Sequence, residues 1–237
     1  MIPYATVGRF YDAAMGDRRA TAAYIRRLIV QHKAEAKTLL ELACGTGAIL
    51  QSLAKYYDVV GLDLSPEMLS FARKRLPHVQ LFRKDMVTFD LRRKFDVIIC
   101  VFDSINHVLR FADWKRIFRR VALHLDDEGL FLFDMNTMQK LQRQIRTPAR
   151  VIPLGRNLLT IKVTDEGRGM ANWNIKVFER KARGNCELFE ENIKEISFPL
   201  KKIKDALREQ FAEIKVIDPT GQRPSGISDR LYFVCAR

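Results

Sequence analysis

The sequence predicts an α/β fold: one doubly wound, mostly parallel sheet covered on both faces and interrupted by a small antiparallel β insertion at about residues 150–198. Three observations predict it. Short continuous apolar runs alternate with helical periodicity through the first half of the chain, the pattern of strands buried on both faces. A Gly-x-Gly turn follows the first of these runs directly. From about Val151 the alternation loosens and is cut by Gly155, Gly167-Arg168-Gly169 and Arg183-Gly184-Asn185, as in a half-exposed meander.

Taken in order, Ala22, Ala23, Ile25, Leu28 and Ile29 share a helical face, with Arg18, Arg19, Arg26, Arg27 and Lys33 largely elsewhere. Thr38–Ala43 is a buried-strand run, followed by the glycine turn and a helix from about Ala48 to Lys55. Val59–Leu64 is the next strand, and Ser65-Pro66-Glu67 opens a helix to about Leu76, with Ser65 as N-cap and Pro66 at the first helical position. Gln80–Lys84 and Phe95–Val101 are strands, Ala112–Leu125 is a helix and Leu130–Asn136 a further strand. Leu158–Asp165, Asn172–Ala182 and Glu187–Phe198 form the insertion. A helix at about Leu200–Phe211, a segment Glu213–Asp218, a Pro/Gly-rich loop and a strand Asp229–Val234 close the chain.

The 237 residues are the length of a single domain, 1–237, whose core needs no staple. The longest clean apolar run, Val97 to Phe102, is far below the roughly 18 residues of a membrane span. Met1-Ile2-Pro3-Tyr4 followed by Arg9 and Asp12 has no apolar core of signal-peptide type, so the expected location is cytoplasmic, without membrane contact. Cys44, Cys100, Cys186 and Cys235 are widely separated, which fits small core residues rather than a disulfide framework or a metal site. The excess of 41 Lys and Arg over 28 Asp and Glu, a net charge of +13, favours an anionic partner without naming one.

The segment Leu39–Gly47 puts backbone amides at the C-terminal edge of a buried strand, where open α/β sheets bind ligands. It lacks the third glycine of a dinucleotide fingerprint, and Glu41 would repel a pyrophosphate there but welcome a cation. Asp63, at the tip of the second strand, is placed to accept both hydroxyls of a ribose. Asp85-Met86, at the end of the third, offers a carboxylate and an apolar neighbour to an adenine. The three together describe one adenosine-containing ligand.

On these residues the sequence resembles the class I S-adenosylmethionine-dependent methyltransferases. Glu41-x-x-Cys44-Gly45-x-Gly47 looks like the family's first motif, Leu62-Asp63-Leu64-Ser65-Pro66-Glu67-Met68 like the second and Asp85-Met86 like the third. The resemblance implies a seven-stranded Rossmann-like sheet, S-adenosyl-L-methionine as cofactor, and methyl transfer. By resemblance Glu41 faces the methionine amino end, Asp63 the ribose and Asp85 the adenine. Ala43, Cys44, Gly45, Gly47, Leu64, Met68, Met86 and Phe102 complete the expected cofactor site. Ala43 stands where the family commonly has its first glycine.

The fourth strand exits through Phe102-Asp103-Ser104-Ile105-Asn106-His107, with neither the Asn/Asp-Pro-Pro-Tyr signature of base-amine methylation nor a Pro-Cys nucleophile. Ser104–His107, Phe10-Tyr11-Asp12 and the β insertion are similar to small-molecule N-methyltransferases, notably dimethyltransferases of nucleotide-linked amino sugars. The expected acceptor is therefore a small-molecule amine, a phosphate-bearing one included. Methyl transfer asks for an in-line nucleophile held dry and an amine freed of its proton. His107, as proton acceptor or orienter, and Tyr11 are expected to border the acceptor nitrogen. The alternative is that His107 caps the next helix and Tyr11 packs over the cofactor.

Trp114 reads as packing and Trp173 as packing or as a cover for the substrate; Arg223, in the loop Gly221–Gly226, is a candidate for meeting a phosphate. The insertion is either a lid or a dimerisation sheet, which leaves monomer and homodimer open. A second reading, RNA or tRNA methylation, rests on Arg73-Lys74-Arg75, Arg92-Arg93-Lys94, Lys115-Arg116 with Arg119-Arg120, and Arg143 to Arg150. Against it, these clusters are spread over successive helices and turns without interleaved aromatics. A non-catalytic S-adenosylmethionine-binding protein is a third reading and an oxidoreductase a fourth, which the glycine pattern disfavours.

Overall fold

Helix and strand alternate as the periodicity predicts. In the computed structural model, which describes Tyr4, residues 6–225 and residues 227–237, α1 (Tyr11–Met15) and α2 (Arg19–His32) precede β1 (Thr38–Leu42), α3 (Ala48–Leu53), β2 (Asp58–Asp63), α4 (Pro66–Arg75) and β3 (Gln80–Arg83). Then follow β4 (Phe95–Cys100), α5 (Phe111–His124), β5 (Leu125–Asn136) and α6 (Met138–Arg146). Four strands β6 (Arg150–Leu154), β7 (Asn157–Gly167), β8 (Met170–Arg180) and β9 (Cys186–Ile196) come next, and α7 (Leu200–Arg208), β10 (Glu213–Ile217) and β11 (Arg230–Ala236) complete the chain. Met1–Pro3, on which the leader reading rests, and Gly226, the end of the Arg223 loop, lie outside the described residues.

Seven strands form one sheet in the order β3-β2-β1-β4-β5-β11-β10. β1 pairs in parallel with both β2 and β4, so the chain leaves it in opposite directions on its two sides and a crevice opens at its C-terminal end. β11 runs antiparallel to β5, which places its first residue, Arg230, beside Asn136 at the exit of β5. The strands alternate cleanly although both faces are buried. Leu40, Leu42, Ile98, Phe131 and Phe133 pack with α5 and α7, while Leu39, Val97, Ile99, Leu130 and Leu132 pack with α2, α3 and α4.

Helix α4 starts as its sequence requires: Ser65 Oγ accepts the Met68 amide at 3.2 Å and Pro66 occupies the first turn. The periodicity missed two elements. Helix α6 is dominated by Gln, Lys and Arg, with Leu141 its buried residue, and β6 carries Pro153, which fits because β6 is an edge strand. Two burial expectations fail. Cys186 is exposed at the start of β9, unlike the other three cysteines, and Ala23 faces solvent, whereas Arg18 is buried. No helix among the described residues is long and apolar enough to cross a membrane.

The second sheet, β6-β7-β8-β9, is antiparallel throughout. One face of it holds Leu159 and Val177 against Val7 and Phe10, and Val163 and Ala171 against Leu141 of α6. The N-terminal segment and α6 thus lie between this sheet and the open end of the main one.

Gly61, in the middle of β2, sets the packing of β2 against α3. A methyl group there would sit 2.8 Å from Leu81 Cδ2 and 2.9 Å from Cys44 Sγ. Overpacking of this kind costs about 1–3 kcal/mol, so Gly61→Ala is expected to lower the unfolding free energy by that much, seen as a lower urea midpoint with an unchanged m-value.

Candidate active site

The loop after β1 makes three left-handed steps in five residues, at Ala43 (φ 53°), Gly45 (φ 55°) and Gly47 (φ 75°). Such steps suit glycine; at Ala43 the side chain pays a strain of roughly 1–2 kcal/mol. Asp63 pins this loop, with Oδ2 accepting the Gly45 amide at 2.8 Å and Oδ1 accepting the Ser65 amide at 2.8 Å. Burial raises the Asp63 carboxyl above the usual carboxylate range, and the two amides pull it back. Gly47 faces away from the crevice, where its missing side chain makes room for Leu76 Cδ1, 2.9 Å from where a Cβ would stand.

A cavity of about 420 Å³ lies at this edge, lined by Ala43, Asp63, Leu64, Met68, Asp85 and Met86 among others. Asp85 is held by an Asx turn, its Oδ1 accepting the Val87 amide at 2.8 Å. A recess of about 40 Å³ continues from Ala43 and Gly45 past Cys44 to Glu41 and Arg18. Each charged group there has buried side-chain atoms without a hydrogen bond among the described residues. Glu41 Oε2 is buried with no hydrogen bond, and so are Nε and Nη2 of Arg18, a residue 7% exposed. Burial, then the neighbouring Asp63, pushes the Glu41 carboxyl well above its ordinary value. The Arg18 guanidinium lies 3.9 Å over the Phe102 ring and 5.3 Å from the Tyr11 ring centroid.

A carboxyl and a guanidinium, each with unsatisfied atoms in one small recess, match the ammonium and carboxylate of an amino acid, and the adjoining cavity carries the groups for an adenosine. These residues fit S-adenosylmethionine. Arg18 escaped the sequence reading because helix α2 begins with several arginines, and only the packing turns this one inward.

A second cavity, of about 330 Å³, adjoins the first, and Tyr4, Tyr11 and Phe102 line both. Its walls are apolar residues of the N-terminal segment and of β6–β9, with Trp173 among them; Arg223 does not line it. Its inner end is polar. Arg230 of β11 donates to Asp103 and to Asp134, and at 3.1 Å to Asn136 Oδ1. Asn136 Nδ2 donates to Asp103 Oδ2 at 2.9 Å and to Glu195 Oε2 at 3.0 Å, while Lys140 Nζ donates to Asn136 Oδ1 at 2.7 Å. Phe102 and Asp103 are both left-handed, at φ 60° and 50°, a strained pair that the Arg230 contacts hold in place. Asp134, Asn136, Lys140, Glu195 and Arg230 carry no local motif and were not found from sequence.

Tyr11 is positioned from beneath. Asp12 accepts from Arg75 at 2.6 Å and from Thr46 Oγ1 at 2.7 Å, tying α1 to the glycine loop. Burial pushes the Tyr11 hydroxyl up to about 12, so it is a hydrogen-bond donor at neutral pH. Tyr4 packs edge-on against Tyr11, at 4.9 Å between centroids, and against His107, at 5.9 Å. His107 ends a 3-10 turn (Ser104–His107) and lines the first cavity; its Nδ1 lies 3.3 Å from the Lys194 carbonyl. Burial lowers its pKa below the usual histidine value, which favours the neutral ring. Asn106 anchors the turn, donating to the Asn136 and Ile196 carbonyls at 3.0 and 2.7 Å.

Removing Arg230 leaves Asp103 and Asp134 facing each other without their cation. Arg230→Ala is expected to destabilise by about 3 kcal/mol in equilibrium denaturation at pH 7. Arg230, with Lys140 and His107, holds the Asp103 carboxyl below its ordinary value against the effect of burial. That contribution is present above the unfolded carboxylate pKa and fades as pH falls, so the deficit is expected to shrink below about pH 5.

Residues 39–129 match a methyltransferase domain family. The chain is 37% identical to the dTDP-3-amino-3,6-dideoxy-alpha-D-glucopyranose N,N-dimethyltransferase of Streptomyces fradiae, over 50% of this chain and 47% of that protein. It is 36% identical to the dTDP-3-amino-3,4,6-trideoxy-alpha-D-glucopyranose N,N-dimethyltransferase of Streptomyces venezuelae, over 53% of each. The chain thus spans about half the length of these curated relatives. Its fold is similar to the crystal structure of an S-adenosylmethionine-dependent methyltransferase from Clostridium acetobutylicum, with TM-score 0.86, 24% identity and 97% of both chains covered. Residues 39–129 match a methyltransferase domain family, and the chain that carries them has the Rossmann-like fold of a solved methyltransferase.

Proposed function

We propose that this protein transfers a methyl group from S-adenosylmethionine to the nitrogen of a small-molecule amine by in-line displacement, the whole chain acting as one unit. The observation that carries the reading is the pair of adjoining cavities: a cleft with adenosine- and amino-acid-type groups meets a second, roofed cavity at Tyr4, Tyr11 and Phe102. When bound, S-adenosylmethionine supplies an electrophilic sulfonium methyl. Glu41 and Arg18 hold the ammonium and carboxylate of its amino-acid end, Asp63 its ribose, and Asp85 with Met86 its adenine. The insertion β6–β9 serves as the roof that keeps the acceptor dry, which is worth most when the nucleophile must shed its hydration. Tyr11 and His107 border the acceptor nitrogen, the neutral His107 ring orienting it or taking its proton.

The relatives named above act on dTDP-linked amino sugars, and by analogy a sugar amine is the acceptor class that sequence similarity favours. A remote phosphate would meet Arg150, which stands exposed at the second cavity. The RNA reading has less support. Arg75 and Arg120, from two of the basic clusters, are engaged internally, with Asp12 and with the Phe89 carbonyl. Among the described residues, Arg150 alone of those clusters lines the second cavity.

Calorimetric titration with S-adenosylhomocysteine tests the cofactor half. The native protein is expected to bind it, and Glu41→Gln and Arg18→Ala to weaken binding about 10- to 100-fold each, the worth of a hydrogen bond to a charged group. An ammonium ligand needs the Glu41 carboxylate, so affinity is expected to rise as pH climbs through the raised Glu41 pKa and then level off. Glu41→Gln should abolish that rise. In methyl-transfer assays over a panel of primary amines, His107→Ala is expected to lower kcat by about 10²-fold and to erase an acid limb lying below the ordinary histidine value. Unchanged turnover across pH, with acceptor still bound, removes the proton-transfer role.

A further inference from the structure

The inner end of the second cavity gathers more carboxyl groups than cations. Three carboxyl groups meet there, Asp103, Asp134 and Glu195, against two cations, Arg230 and Lys140. Arg230 is spent on Asp103 and Asp134, and Lys140 donates to the amide oxygen of Asn136 rather than to a carboxylate. Glu195 is the odd one. It is 4% exposed, lines the cavity, and takes a single hydrogen bond among the described residues, from Asn136 Nδ2 to Oε2. No hydrogen bond among those residues reaches its Oε1.

A buried carboxylate without a counter-charge is costly, and the group protonates instead or waits for a cation. The surroundings of Glu195 bear this out from every side: Asp103 repels its charge, while Lys140, Arg230 and the Asn136 amide attract it less than burial and Asp103 oppose it. The result is a carboxyl pushed up to about 8. Tyr4, whose hydroxyl stays protonated, feels both Glu195 and Asp103, which places the pair beside the junction of the two cavities. An added anion there would meet a cluster of three carboxyl groups, whereas an ammonium would pair the one that lacks a cation. The remaining walls are largely apolar, Val7, Leu159, Ile175 and Val177 among them, with Gln144 and Arg150 also lining the cavity.

We infer that the inner end of this cavity is a cation site in which Glu195 holds the protonated amine of the acceptor. The inference rests on the proposed methyl-transfer reading and adds the acceptor's charge and the residue that selects it. Glu195 acts in recognition: its carboxylate and Asp103 hold the ammonium before Tyr11 and His107 receive the nitrogen. Because the carboxylate form is needed, amine binding displaces a proton from Glu195. Affinity for an amine therefore rises with pH up to about 8 and levels off above, as long as the amine stays charged, up to about pH 10.

The test is calorimetry on the protein saturated with S-adenosylhomocysteine, using three probes of one shape: 2-phenylethylamine, 2-phenylethanol and 3-phenylpropionate. The amine is expected to bind at least tenfold more tightly than the alcohol or the acid at pH 8.5. Glu195→Gln is expected to cost the amine at least tenfold and to leave the alcohol and S-adenosylhomocysteine within twofold. An acid or alcohol that binds as well as the amine, or an unchanged amine affinity in Glu195→Gln, overturns the cation site. Failure of S-adenosylhomocysteine itself to bind overturns the methyl-transfer reading instead.

A probe-free measurement runs beside it. A carboxyl raised in the folded state loses stability as pH rises from its unfolded value toward its folded one. Ligand-free Glu195→Gln is thus expected to melt several degrees above the native protein at pH 8.5 and within about one degree of it at pH 5. A variant that melts lower at both pH values shows Glu195 to be a paired structural carboxylate and rejects the proposal.

Discussion

The ion cluster around Arg230 is the interaction on which the rest of the site depends. It joins the exits of two strands to the start of a third: Asp103 after β4, Asp134 and Asn136 at the end of β5, and Arg230 at the start of β11. Its immediate effect is local. Phe102 and Asp103 stand in left-handed conformations that side chains other than glycine avoid, and the cluster keeps them there. The consequence is larger, because Phe102 is the partition between the two cavities and the platform under Arg18. The antiparallel return of β11 beside β5 is what makes the cluster possible.

Two further ties close the site from the N-terminal side. Asp12 clamps α1 to Thr46 of the glycine loop through Arg75, and Glu191 of β9 accepts the Thr6 and Val7 amides at 3.0 and 3.1 Å. The segment that carries Tyr4 and Tyr11 is thereby fastened to both sheets. Each tie joins a backbone or side chain near the start of the chain to a partner far along it, and none has a counterpart in local periodicity.

The two cavities differ in electrostatics in a way that fits different ligands. The recess holds one carboxyl and one guanidinium, each with unsatisfied atoms, in keeping with a zwitterionic end group. The second cavity holds the buried Glu195 carboxyl behind largely apolar walls. A positive net charge of the whole chain says nothing about either, because the basic side chains are mostly on exposed faces and the acidic ones that matter are buried.

The doubly wound class, the succession of strands and helices up to β5, the start of α4 and the strand-tip edge that carries Asp63 and Asp85 were legible in the sequence because each is a local property. Apolar runs mark buried strands, Ser65-Pro66 marks a helix start, and strand-tip residues such as Asp63 and Asp85 stay at the tip whatever the register. The sequence by itself determined that Glu41, Gly45, Asp63, Asp85 and His107 would gather along one sheet edge. Only the tertiary structure decided that Arg18 turns inward, that Gly47 serves helix packing, and that Asp103, Asp134, Asn136, Lys140, Glu195 and Arg230 meet at one point. Periodicity and capping reach about four residues along the chain, whereas Arg230 and Asp103 are 127 apart. Contacts of that span exist only once strand order and the antiparallel return of β11 are in place.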